Sequence, residues 1–279
     1  MVTNIFKSMV KLVLFLLAII CLNLIVVNAK DIQVKVDTKT ISESNKNLTF
    51  DLKYPEVKLD NEQAQNKINI KLKEDIYEFK GYVESILKES LQTFPQDVID
   101  NSSSFNYEGK STFEYEVVGN VLSIRMTLID FTGGAHPMTY LRGYNFDLTT
   151  GNILTLEDLF NEKGKDHYKE MIDKIIIDKM NETPDNYFVD EFKGLGKNPQ
   201  YYLTNEGIVV FFQLYEIAPY VAGIPKFFVP YSKVEGELNT SLNINVNSNA
   251  STTAGGDKIE KLISRLRKMN ERKEGQGLA

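Results

Sequence analysis

The stretch FTGGAHPMTYLRGYNFDLTTGNILTLEDLF, residues 131–160, contains the local signals around which the rest of the fold is predicted. Gly133 and Gly134 follow an apolar run, and their backbone freedom favours a tight turn or a bulge where a strand ends. Between residues 139 and 148, bulky side chains alternate with a mixed set. This alternation predicts a strand with one bulky and one mixed face.

A turn and a short helix are predicted at the end of this stretch. Residues 150–152, Thr-Gly-Asn, are a turn signal. Thr155 and Asp158 resemble a capping box in which aspartate replaces the usual glutamate. A short helix that carries Leu156 and Leu159 is therefore expected after Thr155.

Periodic apolar residues predict the elements on either side. One long helix is predicted between residue 61 and Pro95, because apolar residues recur at steps of four and three, namely Ile68, Leu72, Ile76, Phe79, Val83 and Leu87. A second helix is predicted from about residue 165 to 180, and alternating segments predict strands around both helices. Strands surround two helices without strict alternation, so the predicted fold class is α+β with mainly antiparallel sheet.

The predicted domain organisation has five parts. Residues 1–29 form a signal peptide or an N-terminal anchor, residues 30–130 a first α+β module, and residues 131–237 a second one. Residues 238–256 contain no charged side chain and are rich in Asn, Ser, Thr and Gly, which predicts a flexible linker. Residues 257–279 predict a basic amphipathic helical tail. It lies on an anionic membrane or wall polymer, docks on a partner, packs on the body, or stays solvated.

The first segment is typical of export. Two lysines precede an apolar run from Leu12 to Val27, and small residues follow at the usual cleavage spacing. The run is slightly shorter than the roughly 20 residues of a membrane-spanning helix, so cleavage after Ala29 is favoured over an uncleaved anchor. Cys21, the single cysteine, lies inside this run, so the mature chain is expected to lack disulfides. The predicted location is extracellular or at the cell surface.

Charge is divided unevenly along the predicted mature chain. Residues 30–256 carry 23 basic and 34 acidic side chains, whereas residues 257–279 carry seven basic and four acidic ones. An acidic body would repel phosphates, so a nucleic-acid partner is not expected. Complementary charge would favour a basic partner, although moderate negative charge also simply keeps an exported protein soluble.

The sequence contains no recognisable catalytic or metal-binding motif. His136 and His167 are the two histidines, and no cysteine survives processing, so zinc sites of the usual type are not expected. Neither a Gly-x-Ser-x-Gly elbow nor a phosphate-binding glycine loop occurs. Asp and Glu residues are numerous, so a pair of catalytic carboxylates of the glycosidase type is not excluded, although no particular pair is indicated. The chain is therefore predicted to be non-catalytic, without a cofactor or a metal site.

Five residues are candidate binding residues. His136 follows the glycine pair, where it acts as an acid or base, contacts a ligand from an exposed turn, or donates a ring N–H to a backbone carbonyl and holds the turn. Tyr140 follows in the same stretch. Tyr215, Glu216 and Tyr220 lie on two loop turns that would bring the tyrosines to one rim. The alternative is that these tyrosines are core residues with solvated hydroxyl groups.

Three motifs together resemble a known extracellular domain family. They are GGAHPMTY, YNFDLTTGNILTLEDLF, and YEIAPYVAGIPKFFVPY from Tyr215 to Tyr231. Similar domains occur in the lysozyme-sensing anti-sigma factor of Gram-positive bacteria and in front of the catalytic domain of some peptidoglycan deacetylases. The resemblance covers about residues 38–234, as two adjoining modules. It implies a secreted, wall-facing binding domain without catalytic residues.

This resemblance implies an exported binding protein that recognises either a lysozyme-type muramidase or peptidoglycan. Only eleven residues precede the apolar run, and a linker and a helix follow the modules, so direct transcriptional signalling and deacetylation are not expected. Two alternatives stay open. One is a cell-wall hydrolase that works through carboxylates, and the other is a structural surface protein tethered to the membrane by its basic tail.

Overall fold

The computed structural model describes residues 32–244, and from Val34 onward they belong to one compact unit. The unit contains a five-stranded sheet and a three-stranded sheet, with helices packed on them. The predicted α+β class is confirmed.

The first sheet holds its five strands in chain order. They are β1 Val34–Ser44, β2 Leu48–Leu59, β3 Tyr107–Val118, β4 Val121–Phe131 and β5 Met138–Asp147. Neighbouring strands are antiparallel except β2 and β3, which are parallel, with Leu48 opposite Tyr107. Parallel neighbours need a long crossover, and a helix between β2 and β3 supplies it.

The crossover is the predicted long helix, α1, which spans Glu62–Thr93. Its first turn is capped by Asn61, whose side chain accepts hydrogen bonds from the backbone N–H groups of Gln63 and Ala64 at 3.1 and 3.2 Å. The six apolar residues that predicted the helix are all buried, and α1 packs on β2. A second short helix, α2 Gln96–Asn101, follows Pro95 and was not predicted.

The second sheet consists of β6 Gln200–Leu203, β7 Gly207–Phe211 and β8 Lys226–Pro230, all antiparallel. The helix predicted from about residue 165 to 180 is divided into α3 Glu162–Lys165 and α4 Tyr168–Glu182. On α4 the buried residues are Tyr168, Ile172, Ile176 and Met180, which join the apolar side chains of β6, β7 and β8 in one core cluster.

The capping box is confirmed, but the helix after it is a single 3-10 turn at Glu157–Leu159. The Thr155 backbone N–H donates to Asp158 Oδ2 at 2.7 Å, and the Asp158 N–H donates to Thr155 Oγ1 at 3.3 Å. Aspartate is one methylene shorter than glutamate, yet it closes the reciprocal pair.

Two predicted boundaries differ from the structure. The boundary at residues 130 and 131 lies within the first sheet, because β4 pairs with β5 across it. The linker predicted from residue 238 begins as part of the packed body: Leu238 pairs with Phe160, and Leu242 and Ile244 are buried. These residues are apolar and have a core within reach, which composition alone did not indicate.

The remaining predicted segments lie outside the described residues. These are the signal peptide or anchor at 1–29, the rest of the linker at 245–256 and the basic tail at 257–279. Within residues 32–244, no helix combines the length and apolar character that a bilayer-spanning segment requires.

The two sheets meet where small and polar residues of the first sheet face the backbone of β6. A Cβ atom at Gly143 would lie 2.0 Å from the Tyr201 carbonyl oxygen, so only glycine allows this approach. Asn145 Nδ2 donates to the same oxygen at 3.0 Å, and the Leu203 N–H donates to Ser123 Oγ at 2.7 Å. Both Asn145 and Ser123 are buried, so the first sheet satisfies backbone groups of the second in a region closed to water.

Replacing Gly143 with alanine is expected to lower the free energy of unfolding by about 2–3 kcal/mol, because the added methyl group forces the sheets apart. Gly81→Ala is the matched control, since Gly81 lies within α1 and an added Cβ meets nothing within 4 Å. The control should raise the free energy of unfolding by about 0.5–1 kcal/mol. Urea unfolding followed by circular dichroism measures both, and similar effects at the two positions would contradict the close approach.

Candidate functional site

Three of the predicted binding residues, His136, Tyr215 and Tyr220, lie together at one edge of the molecule. The rings of His136 and Tyr220 stack with their centroids 3.9 Å apart, and those of Tyr215 and Tyr220 are 5.8 Å apart. His136 lies in the connection between β4 and β5, whereas both tyrosines lie in the loop between β7 and β8. We call these three residues the aromatic rim.

Hydrogen bonds fix the rings of the aromatic rim. The Tyr220 hydroxyl donates to the Pro137 carbonyl oxygen at 2.9 Å, and His136 Nδ1 lies 3.1 Å from the same oxygen. A carbonyl oxygen only accepts, so Nδ1 donates to it, and Nε2 lies 3.3 Å from the Tyr215 hydroxyl. His136 therefore holds its turn through a backbone carbonyl and joins the two loops as well.

Tyr215 has a strained backbone and an exposed side chain. Its φ angle is 65°, a left-handed conformation that non-glycine residues adopt at a cost, and half of its surface is exposed. Glu216 supports this turn, since its Oε2 accepts from the Gln213 N–H at 2.7 Å. The predicted binding residue Glu216 thus shapes the loop that presents Tyr215.

Gln213 attaches this loop to the first sheet. Its side-chain Nε2 donates to the Leu141 carbonyl at 2.7 Å, and its Oε1 accepts from the Leu141 N–H at 3.1 Å. The amide pairs with β5 as a neighbouring strand would, on the edge that β4 leaves open. The position of the aromatic rim therefore depends on one side chain that bridges the two sheets.

A groove with a cavity volume of about 730 Å³ lies beside Tyr215 and Glu216. The segment 187–191 forms its other side and is held in place by the Phe188 N–H, which donates to the Ile217 carbonyl at 2.8 Å. We call this feature the acidic groove, and it is lined by Tyr187, Phe188, Val189, Asp190, Glu191, Tyr215 and Glu216.

Sequence reasoning missed the far side of the acidic groove. Phe188 and Val189 are each 40% exposed and are followed directly by Asp190 and Glu191. An apolar pair next to two carboxylates is the sequence signal that could have indicated a binding surface here. The same pair is equally typical of a segment that packs in the core. Only the contact between residue 188 and the loop after β7 shows that the two segments share a surface.

Tyr140, the fifth predicted binding residue, lies elsewhere. It lines a second cavity of about 280 Å³ with residues of α1 and β5. Its hydroxyl lies against the Asp130 carboxylate and the Tyr82 hydroxyl, and burial, the largest effect, raises its pKa well above the usual range. Tyr140 is therefore not part of the aromatic rim.

His167, the second histidine, is not part of the aromatic rim. It lies between α3 and α4 and contacts Glu237, with 3.0 Å between Nε2 and Oε2. Within residues 32–244, no three His, Cys, Asp or Glu side chains are grouped so that they could hold a metal ion.

Two families match the chain in adjoining regions. The family described as "Deacetylase PdaC" matches residues 41–139, and the family described as "Protein of unknown function (DUF3298)" matches residues 157–232. The predicted domain pair is confirmed. The aromatic rim draws on both regions, because His136 lies in the PdaC region and Tyr215 and Tyr220 lie in the DUF3298 region.

Known proteins resemble the chain over much of its length. The anti-sigma-V factor RsiV of Bacillus subtilis (strain 168) is 27% identical over 215 residues, which is 71% of this chain and 68% of RsiV. A crystal structure of a DUF3298 family member from Bacteroides fragilis has a TM-score of 0.52 and 18% identity, and covers 76% of this chain and 96% of that one. A DUF3298 family protein from Pseudomonas aeruginosa has a TM-score of 0.49 and 16% identity, with the same coverage. The first of these structures agrees in fold.

Truncating Gln213 to alanine is expected to lower the free energy of unfolding by about 1–2 kcal/mol, because both polar groups of the buried Leu141 backbone lose their partner. Gln92→Ala on the exposed face of α1 is the control and should change it by less than about 0.5 kcal/mol. Urea unfolding measures both variants. Equal stability of Gln213→Ala and the unaltered chain would show that the side-chain amide does not anchor the loop.

Proposed function

We propose that the chain is a cell-surface binding or sensing protein whose aromatic rim and acidic groove bind a basic protein of the lysozyme type. The observation that carries the proposal is the composition of the acidic groove. Three carboxylates, those of Asp190, Glu191 and Glu216, lie beside exposed aromatic side chains, and no lysine or arginine lines it. A lysine or arginine side chain that enters such a groove gains ion pairing and cation–π contact together.

The charge of the whole body supports the same partner. The predicted mature body, residues 30–256, carries 34 acidic against 23 basic side chains, so it attracts a cationic protein before contact is made. The groove then adds local complementarity. Apolar area at Phe188, Val189 and Tyr215 supplies the part of the binding energy that salt does not screen.

The comparisons support a sensing role in broad terms. RsiV is named an anti-sigma factor, and the chain resembles it over most of its length. A location at the cell surface is consistent with the export signal predicted at residues 1–29. Binding to peptidoglycan instead of a protein is the alternative that the same rim permits, since aromatic rings also stack on sugars.

Because one matching family is described as a deacetylase, an assay for catalysis is included as a control. A carboxylate hydrolase or a deacetylase would release product from peptidoglycan, whereas a binding protein would not. We expect no product from purified peptidoglycan incubated with the chain. Release of reducing ends or acetate would overturn the non-catalytic assignment.

Titration of the chain from residue 30 onward with hen egg-white lysozyme tests the proposal. We expect a dissociation constant in the micromolar range or tighter at roughly 0.02 M salt and weaker binding at roughly 0.15 M, since salt screens the attraction between the partners. Isothermal calorimetry measures both. Absence of binding at either salt concentration would reject a lysozyme-type partner, and a peptidoglycan pull-down would then test the alternative.

Removing one ring of the aromatic rim should weaken binding without unfolding the protein. Tyr220→Ala is expected to raise the dissociation constant about tenfold or more, as is usual for a central aromatic residue of an interface. Tyr115→Ala is the control, because Tyr115 is a tyrosine on β3 outside the aromatic rim, and it is more exposed than the half-buried Tyr220. Equal affinities of the two variants would place the interface away from the aromatic rim.

Removing charge from the acidic groove should change the salt dependence. The double variant Asp190→Asn/Glu191→Gln should bind more weakly at low salt and lose less affinity as salt rises. Glu74→Gln/Glu89→Gln changes the net charge equally on the exposed face of α1. If both double variants behave alike, only the net charge matters and the groove is not the contact surface.

A further inference from the structure

The second cavity, which contains Tyr140, lies between α1 and the first sheet and is separate in its residues from the proposed protein-binding surface. It is lined by Glu78, Phe79, Tyr82, Leu128, Tyr140 and Arg142. Its volume of about 280 Å³ lies just below the roughly 300–1,000 Å³ typical of ligand pockets. A ligand for this cavity is therefore the size of an amino acid or a dipeptide.

Arg142 carries a guanidinium group without a carboxylate partner in the described chain. Arg125, on the neighbouring strand β4, pairs with both Glu114 and Glu116. Arg142 makes a long contact, 3.5 Å from its Nη1 to the backbone oxygen of Asp75, and lies beside the Tyr144 hydroxyl, but it forms no ion pair with residues 32–244. A guanidinium offers five donors arranged to fit a carboxylate, so this group can receive an anion.

Two buried residues that contact the lining, Asp130 beside Tyr140 and Tyr144 beside Arg142, also have unused hydrogen-bonding groups. Asp130 is 2% exposed, and its Oδ2 has no hydrogen-bond partner. The buried Tyr144 hydroxyl lies beside Asp75 and Arg142 without a hydrogen bond of normal geometry. Buried polar atoms without partners are rare and need an explanation, such as a bound molecule or water.

We propose that this cavity binds a small zwitterion, either a free amino acid or a short unblocked peptide. The ligand carboxylate pairs with Arg142, and the ammonium group faces the Glu78 carboxylate and the Tyr82 hydroxyl. Phe79 and Leu128 supply an apolar floor for a small side chain. The mixed charge of the lining distinguishes this ligand from a simple anion, which Glu78 would repel.

Saturation-transfer NMR and calorimetry with the full chain test the proposal, with L-alanyl-L-alanine as the probe. We expect a dissociation constant of roughly 1 mM or below. Two blocked peptides, the C-terminal amide and the N-acetyl form, should each bind at least tenfold more weakly. Two further probes identify the class of ligand. Tighter binding of alanine than of L-alanyl-L-alanine would indicate a free amino acid, and tighter binding of D-alanyl-D-alanine would indicate a cell-wall peptide.

Two substitutions locate the site. Arg142→Gln should weaken binding of the dipeptide at least tenfold and abolish the preference for a free carboxylate. Glu78→Gln, at an exposed position where folding is not at risk, should abolish the preference for a free ammonium group. Glu74→Gln, one turn earlier on α1, is the control and should leave both preferences unchanged.

The result that overturns the proposal is the absence of dipeptide binding to the unaltered chain up to concentrations tenfold above the expected dissociation constant. The proposal is also overturned if Glu78→Gln keeps the preference for a free ammonium group. This second test applies even if Arg142→Gln fails to fold. The lysozyme titration is independent of this site. Its success or failure therefore does not change what the dipeptide measurement means.

Discussion

The close approach between Gly143 and the Tyr201 carbonyl is the constraint on which the rest of the structure depends. The short strand β6 pairs with β7 along one edge only, so the Tyr201 carbonyl and the Leu203 N–H on its other edge would be buried without partners. Asn145 and Ser123 fill this gap by bonding to β6 through their side chains. These hydrogen bonds are buried, where an unpaired group costs about 1–3 kcal/mol, so they fix the distance between the sheets more tightly than apolar contact would.

That fixed distance is what brings the aromatic rim together. His136 is carried by the first sheet, and Tyr220 by a loop of the second, so their stacking requires the two sheets to hold one relative position. Gln213 adds a second tie close to the rim, and the strained backbone of Tyr215 is tolerated because the loop is held at both ends. Tyr215 contacts the other two residues of the aromatic rim, yet half of its surface stays exposed, and this exposure on a strained backbone is consistent with the proposed role in recognition.

The sequence predicted the elements well and the contacts between them poorly. The apolar period of α1 and the capping box at Thr155 are local patterns, and local physics determines them. The burial of Leu238, Leu242 and Ile244 and the place of Tyr140 depend on which distant segments lie near them, and no local pattern carries that information. Strand alternation predicts which face of β5 carries Tyr140. It does not predict that α1 covers this face, because the position of α1 depends on the crossover between β2 and β3.

The aromatic rim belongs to neither family region alone, and this bears on how such a surface works. A surface built from one family region alone would keep its shape if the two regions shifted relative to each other, whereas the aromatic rim would not. Any change in the contact between β5 and β6 would separate His136 from Tyr220 and open the rim. Conversely, a partner that contacts both sides of the rim stabilises the contact between the sheets, since whatever binds only the assembled form shifts the equilibrium toward it. If such a partner binds, its binding and the stability of the sheet contact are thermodynamically linked, and each raises the other.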